Sequence, residues 1–303
     1  MAEYINVEQP FLNKLRELGW DVIDLGCGKI PHDPKPSKRD SFREVVLKEV
    51  FFEAVRNINS TDDGRTWLTD KQLEDILSLI STHPGKPLLE ANRTIFDLLI
   101  HNTTVAENEL TGEQNPLVRL IDFKNPTRNS FIAINQFKID TPGGSRCAII
   151  PDIVLFVNGL PFVVIECKDK NVAEPLSEAF IQICRYSNRR DDNYGCVEGE
   201  ERLFHFGLFS ILTHGDEARF GTITGEFDHY QNWKDIFPEE YKTIPLMPDE
   251  ERQDVLIHGM LNKVILLDIL KNFTVFMEVK RGVTAKIVCR YQQYRAGEEQ
   301  ARG

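Results

Sequence analysis

The chain has 303 residues, 41% hydrophobic and 27% charged, long enough to bury the core of one or two domains. Lysine and arginine total 36 against 47 aspartates and glutamates, and the net charge of −11 excludes a protein that coats nucleic acid through bulk electrostatics, while leaving room for a local basic groove. No apolar run approaches the ~20 residues of a membrane helix and no basic-then-apolar leader opens the chain, so a cytoplasmic protein with no membrane partner is expected.

In VEQPFLNKLRELGW, Phe11, Leu12, Leu15 and Leu18 fall at helical spacing, predicting a helix of about 12 residues with Asn6 as cap and Gly19 as stop. Glu8 lies in its first turn, where a carboxylate favours the helix dipole. Residues 20–39 are rich in Pro, Gly, Asp and Lys and predict an irregular exposed connection. The LGCGKI inside that stretch lacks the GxxxxGK[ST] spacing of a phosphate loop. Ser41 to Glu44 and Thr69 to Gln72 are capping-box patterns, predicting helices to about Asn57 and over the apolar positions Leu73, Ile76, Leu77 and Ile80. A third helix covers roughly 91–101, so a helical side layer spans about 40–102.

Alternation from Phe131 to Ile139 predicts a strand. After the turn at 141–145 comes CAIIPDIVLFVNGLPFVVIECK, from Cys147 to Lys168. A helix follows from about Glu174-Pro175, with Leu176, Phe180, Ile183 and Cys184 on its apolar side. Strands are predicted at 203–213 and 219–224, giving an α/β fold with one mixed sheet flanked by helices. Residues 227–252 are aromatic, Pro-rich and acidic and suggest a linker; 255–273 is strongly helical, and 286–291 predicts a strand or tight connector.

The stretch ending at Lys168 carries the chemistry. Two apolar runs flank Asn158-Gly159, and the only charges among them are Asp152, Glu166 and Lys168. A buried carboxylate neutralises, pairs or takes a metal ion. Asp152 and Glu166 suit a hard divalent cation, Mg²⁺ or Mn²⁺, with the Cys167 backbone carbonyl as a third oxygen donor. Lys168 shares a strand face with Glu166 and is placed to orient water or offset charge in a phosphodiester hydrolysis. The competing interpretation makes the acids solvated strand ends or an ordinary ion pair with Lys168. Six scattered cysteines and seven dispersed histidines form no zinc-type spacing and predict reduced thiols and structural imidazoles.

Register decides between these interpretations. A strict two-residue turn at Asn158-Gly159 pairs Val157 with Leu160, sets Asp152 opposite Ile165 and sends the two carboxylates to opposite faces. The metal site therefore requires a three-residue loop or a bulge, expected to set Asp152 opposite Val164 with Glu166 diagonal to it.

Pro151-Asp152 followed by Glu166-Cys167-Lys168 resembles the PD-(D/E)xK nuclease motif, and Gln182-Ile183-Cys184-Arg185-Tyr186 is similar to the Q-x-x-x-Y element that follows it. Together with VEQPFLNKLRELGW, RLIDFKNPTRNSFIAINQFKI, NGLPFVVIECKD, QICRYSN, FGTITGEFDHYQNWKD and KIVCRYQQYRA, the resemblance covers nearly the whole chain and points to the restriction (motor) subunit of type I restriction-modification enzymes. It implies a PD-(D/E)xK nuclease domain over 1–226, a linker at 227–252, and at 253–303 the start of an ATP-dependent translocase that stops before a Walker A motif. ATP would thus act only through the missing motor part. Carried over by residue, Asp152 and Glu166 match the metal-binding acids, Lys168 the catalytic lysine, Glu8 an acid on the first helix that completes such sites, and Gln182 and Tyr186 groups that orient DNA or the catalytic side chains. The implied partners are double-stranded DNA and the methyltransferase and specificity subunits. The rival classes are another nuclease of this fold, for repair or junction resolution, and a non-catalytic module docking the motor to its methyltransferase core.

Overall fold

The apolar runs on either side of Asn158-Gly159 become the two central strands of a six-stranded sheet in a computed structural model that describes residues 2–143, 148–190, 197–240, 252–280 and 282–302. In chain order, a π-helical turn at Tyr4–Glu8 leads into α1 (Gln9–Glu17) and β1 (Asp21–Ile23). The side layer is α2 (Lys48–Ile58), α3 (Asp70–Ser81) and α4 (Leu88–His101), followed by a small pair, β2 (Thr103–Thr104) and β3 (Leu117–Val118). Then come β4 (Phe131–Asn135), β5 (Ile139–Asp140), β6 (Ala148–Ile149), β7 (Ile153–Val157) and β8 (Leu160–Cys167). They lead to α5 (Pro175–Tyr186), α6 (Arg202–His205), β9 (Phe209–Thr213) and β10 (Ala218–Gly221). Last are α7 (Gln253–Met260), α8 (Lys263–Asn272), the ribbon of β11 (Thr274–Lys280) and β12 (Val283–Val288), and α9 (Tyr291–Arg302).

The main sheet runs β1-β4-β7-β8-β9-β10. β1 lies parallel to β4 and β8 parallel to β9, while the other neighbours are antiparallel, so the sheet is mixed. All residues of β4, β7, β8 and β9 are buried, which explains why the central runs are continuously apolar rather than alternating. Helix α5 packs on β8 and β9, and α1 packs on β1 and α7.

Several local expectations are corrected. Asn6 caps nothing; it sits inside the π-helical turn that precedes α1. The connection after Gly19 contains β1, too short at three residues to show a period and recognisable only through its pairing with Ile132, Ala133 and Ile134. Ser41 to Glu44 forms an isolated turn, with Glu44 accepting from the Asp40 backbone N–H, and α2 starts only at Lys48. The Thr69–Gln72 capping box forms as expected. The predicted strand at 131–139 ends at Asn135, because Gln136 takes φ +47°. The first half of 203–213 is the turn of helix α6, and 255–273 is two helices separated at Asn262, whose side chain caps α8. Within the segment expected to be a linker, Tyr230, Trp233 and Ile236 are buried, while 241–251 lie outside the described residues, as do Cys147 and the last two residues of the turn expected at 141–145. Among the described residues, Cys27, Cys167 and Cys289 are free thiols, and no helix is long and apolar enough to cross a membrane.

Candidate active site

The turn at Asn158-Gly159 has two residues, both at positive φ (+50° and +77°), and Val157 pairs with Leu160. This is the geometry that, left alone, separates the two acids. The separation is undone by a bulge: Phe156 pairs with Pro161 but Leu155 with Val163, leaving Phe162 as the extra residue on β8. Beyond it Val154 pairs with Val164 and Ile153 with Ile165, so the register, continued one residue, sets Asp152 level with Glu166. The expected pairing of Asp152 with Val164 is therefore corrected by two residues, because turn and bulge act together.

Burial makes the pair electrostatically demanding. Asp152 is 7% exposed and Glu166 fully buried. The Asp152 carboxylate accepts from the Cys167 backbone N–H at 2.8 Å, and Lys168 Nζ donates to Glu166 Oε1 at 2.6 Å and to the Cys167 carbonyl at 3.0 Å. Burial pushes Asp152 up to about 6, with Lys168 and the Cys167 N–H pulling the other way. Glu166 is held well above the carboxylate range by burial and then by Asp152, with Lys168 opposing. Burial works to lower Lys168, but Glu166 and Asp152 outweigh it and keep the ammonium charged.

Glu8 comes to this site from the far end of the sequence. It is buried, its Oε1 accepts from Asn135 Nδ2 at 2.6 Å and its Oε2 from Gln136 Nε2 at 3.2 Å. Burial, then the charge of Asp152, pushes Glu8 up to about 8. Gln136 Nε2 also lies 3.4 Å from Asp152 Oδ1, at the long end of a hydrogen bond. Asn135 additionally donates to Asp24 and to the Gly26 carbonyl. Neither Asn135 nor Gln136 was singled out in the sequence. The one available signal was two amide side chains in succession at the end of an otherwise apolar strand.

Gln182 and Tyr186 stand one turn apart on α5. Gln182 Nε2 donates to Tyr186 Oη at 2.6 Å, and the hydroxyl donates to the Ile150 carbonyl at 3.1 Å, two residues before Asp152. The pair thus braces the backbone that enters the acidic end of β7.

Among the described residues Glu166 Oε2 is buried without a hydrogen-bond donor, on a carboxylate facing a second acid; such an orphaned oxygen fits a cation. Among the described residues no group of three or more His, Cys, Asp or Glu side chains is arranged to hold a metal ion. The residues that fit are the two acids and the Cys167 carbonyl.

Fold and site together define a mixed α/β protein whose central hairpin buries a facing acid pair at one end, with a half-buried lysine beside it. The chain belongs to the family described as the type I restriction enzyme R protein N terminus, whose model matches residues 3–229. It is 32% identical over 292 residues to the type I restriction enzyme HindI endonuclease subunit of Haemophilus influenzae, covering 95% of this chain and 25% of that one. The putative MjaIXP endonuclease subunit of Methanocaldococcus jannaschii is 22% identical over 304 residues, covering 95% and 26%. The EcoprrI endonuclease subunit of Escherichia coli is 31% identical over 155 residues, half of this chain and 44% of its own length. The chain spans about a quarter of the length of the first two relatives.

Proposed function

We propose that this chain carries the metal-dependent, PD-(D/E)xK-type endonuclease site of a type I restriction-modification system, hydrolysing phosphodiester bonds in double-stranded DNA. One observation carries the proposal: the bulge at Phe162 brings Asp152 level with Glu166, and a buried Glu166 oxygen is left without a donor among the described residues.

Asp152, Glu166 and the Cys167 carbonyl would hold Mg²⁺ or Mn²⁺ through oxygen. When bound, the ion supplies Lewis acidity towards a phosphoryl oxygen and a more acidic water. Lys168 contributes a fixed positive charge within 2.6 Å of Glu166, placed to orient the attacking water and to offset charge developing on the phosphate. The Cys167 N–H bond to Asp152 fixes that carboxylate as an acceptor. Tyr186 and Gln182 hold the preceding backbone, so they orient the catalytic acids; contact with DNA is the second role proposed for them.

The net charge of −11 suits a division of labour in which the specificity and methyltransferase subunits choose and grip the DNA. ATP-driven translocation would belong to the remaining length that the relatives possess. The test is DNA cleavage by the full restriction complex carrying Asp152→Ala or Lys168→Ala. Loss of cleavage with assembly and translocation intact is expected; retained cleavage would overturn the proposal and favour a docking role.

A further inference from the structure

The end of β4 contains a backbone feature that packing alone does not require. In a regular strand, successive side chains point to opposite faces. Asn135 and Gln136 nevertheless both donate to Glu8, one to each carboxylate oxygen. The left-handed φ of +47° at Gln136 makes this possible by turning the second side chain back to the face of the first. Gly, Asn and Asp take that conformation most readily, and Gln is an uncommon occupant. The backbone there stays fastened to β7, with Gln136 N–H donating to the Asp152 carbonyl at 2.8 Å and Phe137 N–H to the Pro151 carbonyl at 3.1 Å.

A shorter amide at the same backbone position lacks one methylene of reach. Glutamine is long enough for its Nε2 to lie between Glu8 Oε2 at 3.2 Å and Asp152 Oδ1 at 3.4 Å. Two buried carboxylates repel one another, and a neutral NH₂ group placed between them bonds both without adding charge. Both Glu8 oxygens are thereby engaged by amides.

We propose that Gln136 is a positioning residue of the hydrolytic site: it ties Glu8 to Asp152 and fixes the orientation in which Asp152 faces Glu166. Glu8 then acts through Gln136 on the acid pair and is not itself a ligand. The inference rests on the proposed metal-dependent function and adds a residue to it. Such supporting partners typically change metal affinity by about 10- to 100-fold when removed.

The experiment is Mn²⁺ binding to the purified protein, followed by the paramagnetic resonance of the free ion, for wild type, Gln136→Asn, Gln136→Gly and Asp152→Ala. Thermal melts run alongside. Gly and Asn both tolerate the left-handed backbone, so these variants remove the bridge while preserving the turn. Gln136→Gly and Gln136→Asn are expected to bind Mn²⁺ about 10- to 100-fold more weakly, with unchanged stoichiometry and a cooperative melt at a somewhat lower temperature, and Asp152→Ala not to bind. In DNA cleavage by the full complex, the Gln136 variants should need more metal for half-maximal rate yet approach the wild-type rate at saturation. Wild-type Mn²⁺ affinity in both Gln136 variants, with Asp152→Ala silent, overturns the positioning role alone. A wild type that binds no Mn²⁺ overturns the metal-dependent function and the inference with it.

Discussion

Lys168 Nζ sits 2.6 Å from Glu166 Oε1, while the other oxygen of the same carboxylate is buried without a donor among the described residues. The lysine therefore offsets only part of what burial costs this acid, and Asp152 beside it adds repulsion. Lys168→Met removes that compensation. It should destabilise the fold by about 3 kcal/mol at pH 8 and by much less at pH 5, where the acids can take up protons. Urea denaturation at the two pH values measures the difference.

Cation binding should stabilise the protein in a pH-dependent way. Glu8 and Asp152 are raised to about 8 and about 6, and Glu166 is raised as well, so the fold binds their protons more tightly than the unfolded chain does. Their contribution to stability is full below the ordinary carboxylate range and is lost as pH rises through 6 and then 8. A divalent ion replaces those protons, and its stabilisation should therefore grow with pH. At 100 times its dissociation constant Mn²⁺ should add about 2.7 kcal/mol, visible as a larger rise in melting temperature at pH 8 than at pH 6.

Gly159 is the residue of the central turn least able to change. At φ +77°, an added Cβ would meet the Leu47 carbonyl at 2.6 Å and Phe51 N at 2.8 Å, where the turn presses on the start of α2. Gly159→Ala should cost about 2–4 kcal/mol through strain and backbone overlap. Equilibrium unfolding checks this, and a change below about 0.5 kcal/mol would show that the turn can move.

Lys286 is buried and, among the described residues, has no carboxylate partner. Its ammonium donates to Asn92 Oδ1 at 2.9 Å and to the Gly207 carbonyl at 2.7 Å, tying β12 to α4 and to the approach to β9. Burial pushes it down to about 7, below its value in the unfolded chain. Between about 7 and the ordinary lysine range the unfolded chain holds the extra proton, so stability should rise with pH across that window. Lys286→Met should abolish this rise in melting temperature between pH 7 and 9.5.

How much of this was legible in the sequence follows from where the information resides. The central hairpin, the long helices α3, α4 and α5 and the three charges of the site were readable, because apolar runs, capping patterns and isolated acids are local signals. Helix α2 was placed too early because Ser41 to Glu44 satisfies a capping pattern inside a non-helical turn. Strand β1 has three residues and exists only through its pairing with β4. The bulge could be demanded but not located, since nothing in LPFVVIEC distinguishes Phe162 from its neighbours until Pro161 is seen against Phe156. Asn135 and Gln136 were missed because their importance comes from Glu8, more than 120 residues away in the chain.

Asp152 and Glu166 are proposed to share one divalent cation. A crystal soaked in Mn²⁺ and measured at the manganese absorption edge tests it most directly. An anomalous peak is expected between the two carboxylates, in contact with Glu166 Oε2 and absent from an Asp152→Ala crystal. A fully soaked crystal with no peak there, or with manganese bound only elsewhere, would contradict it.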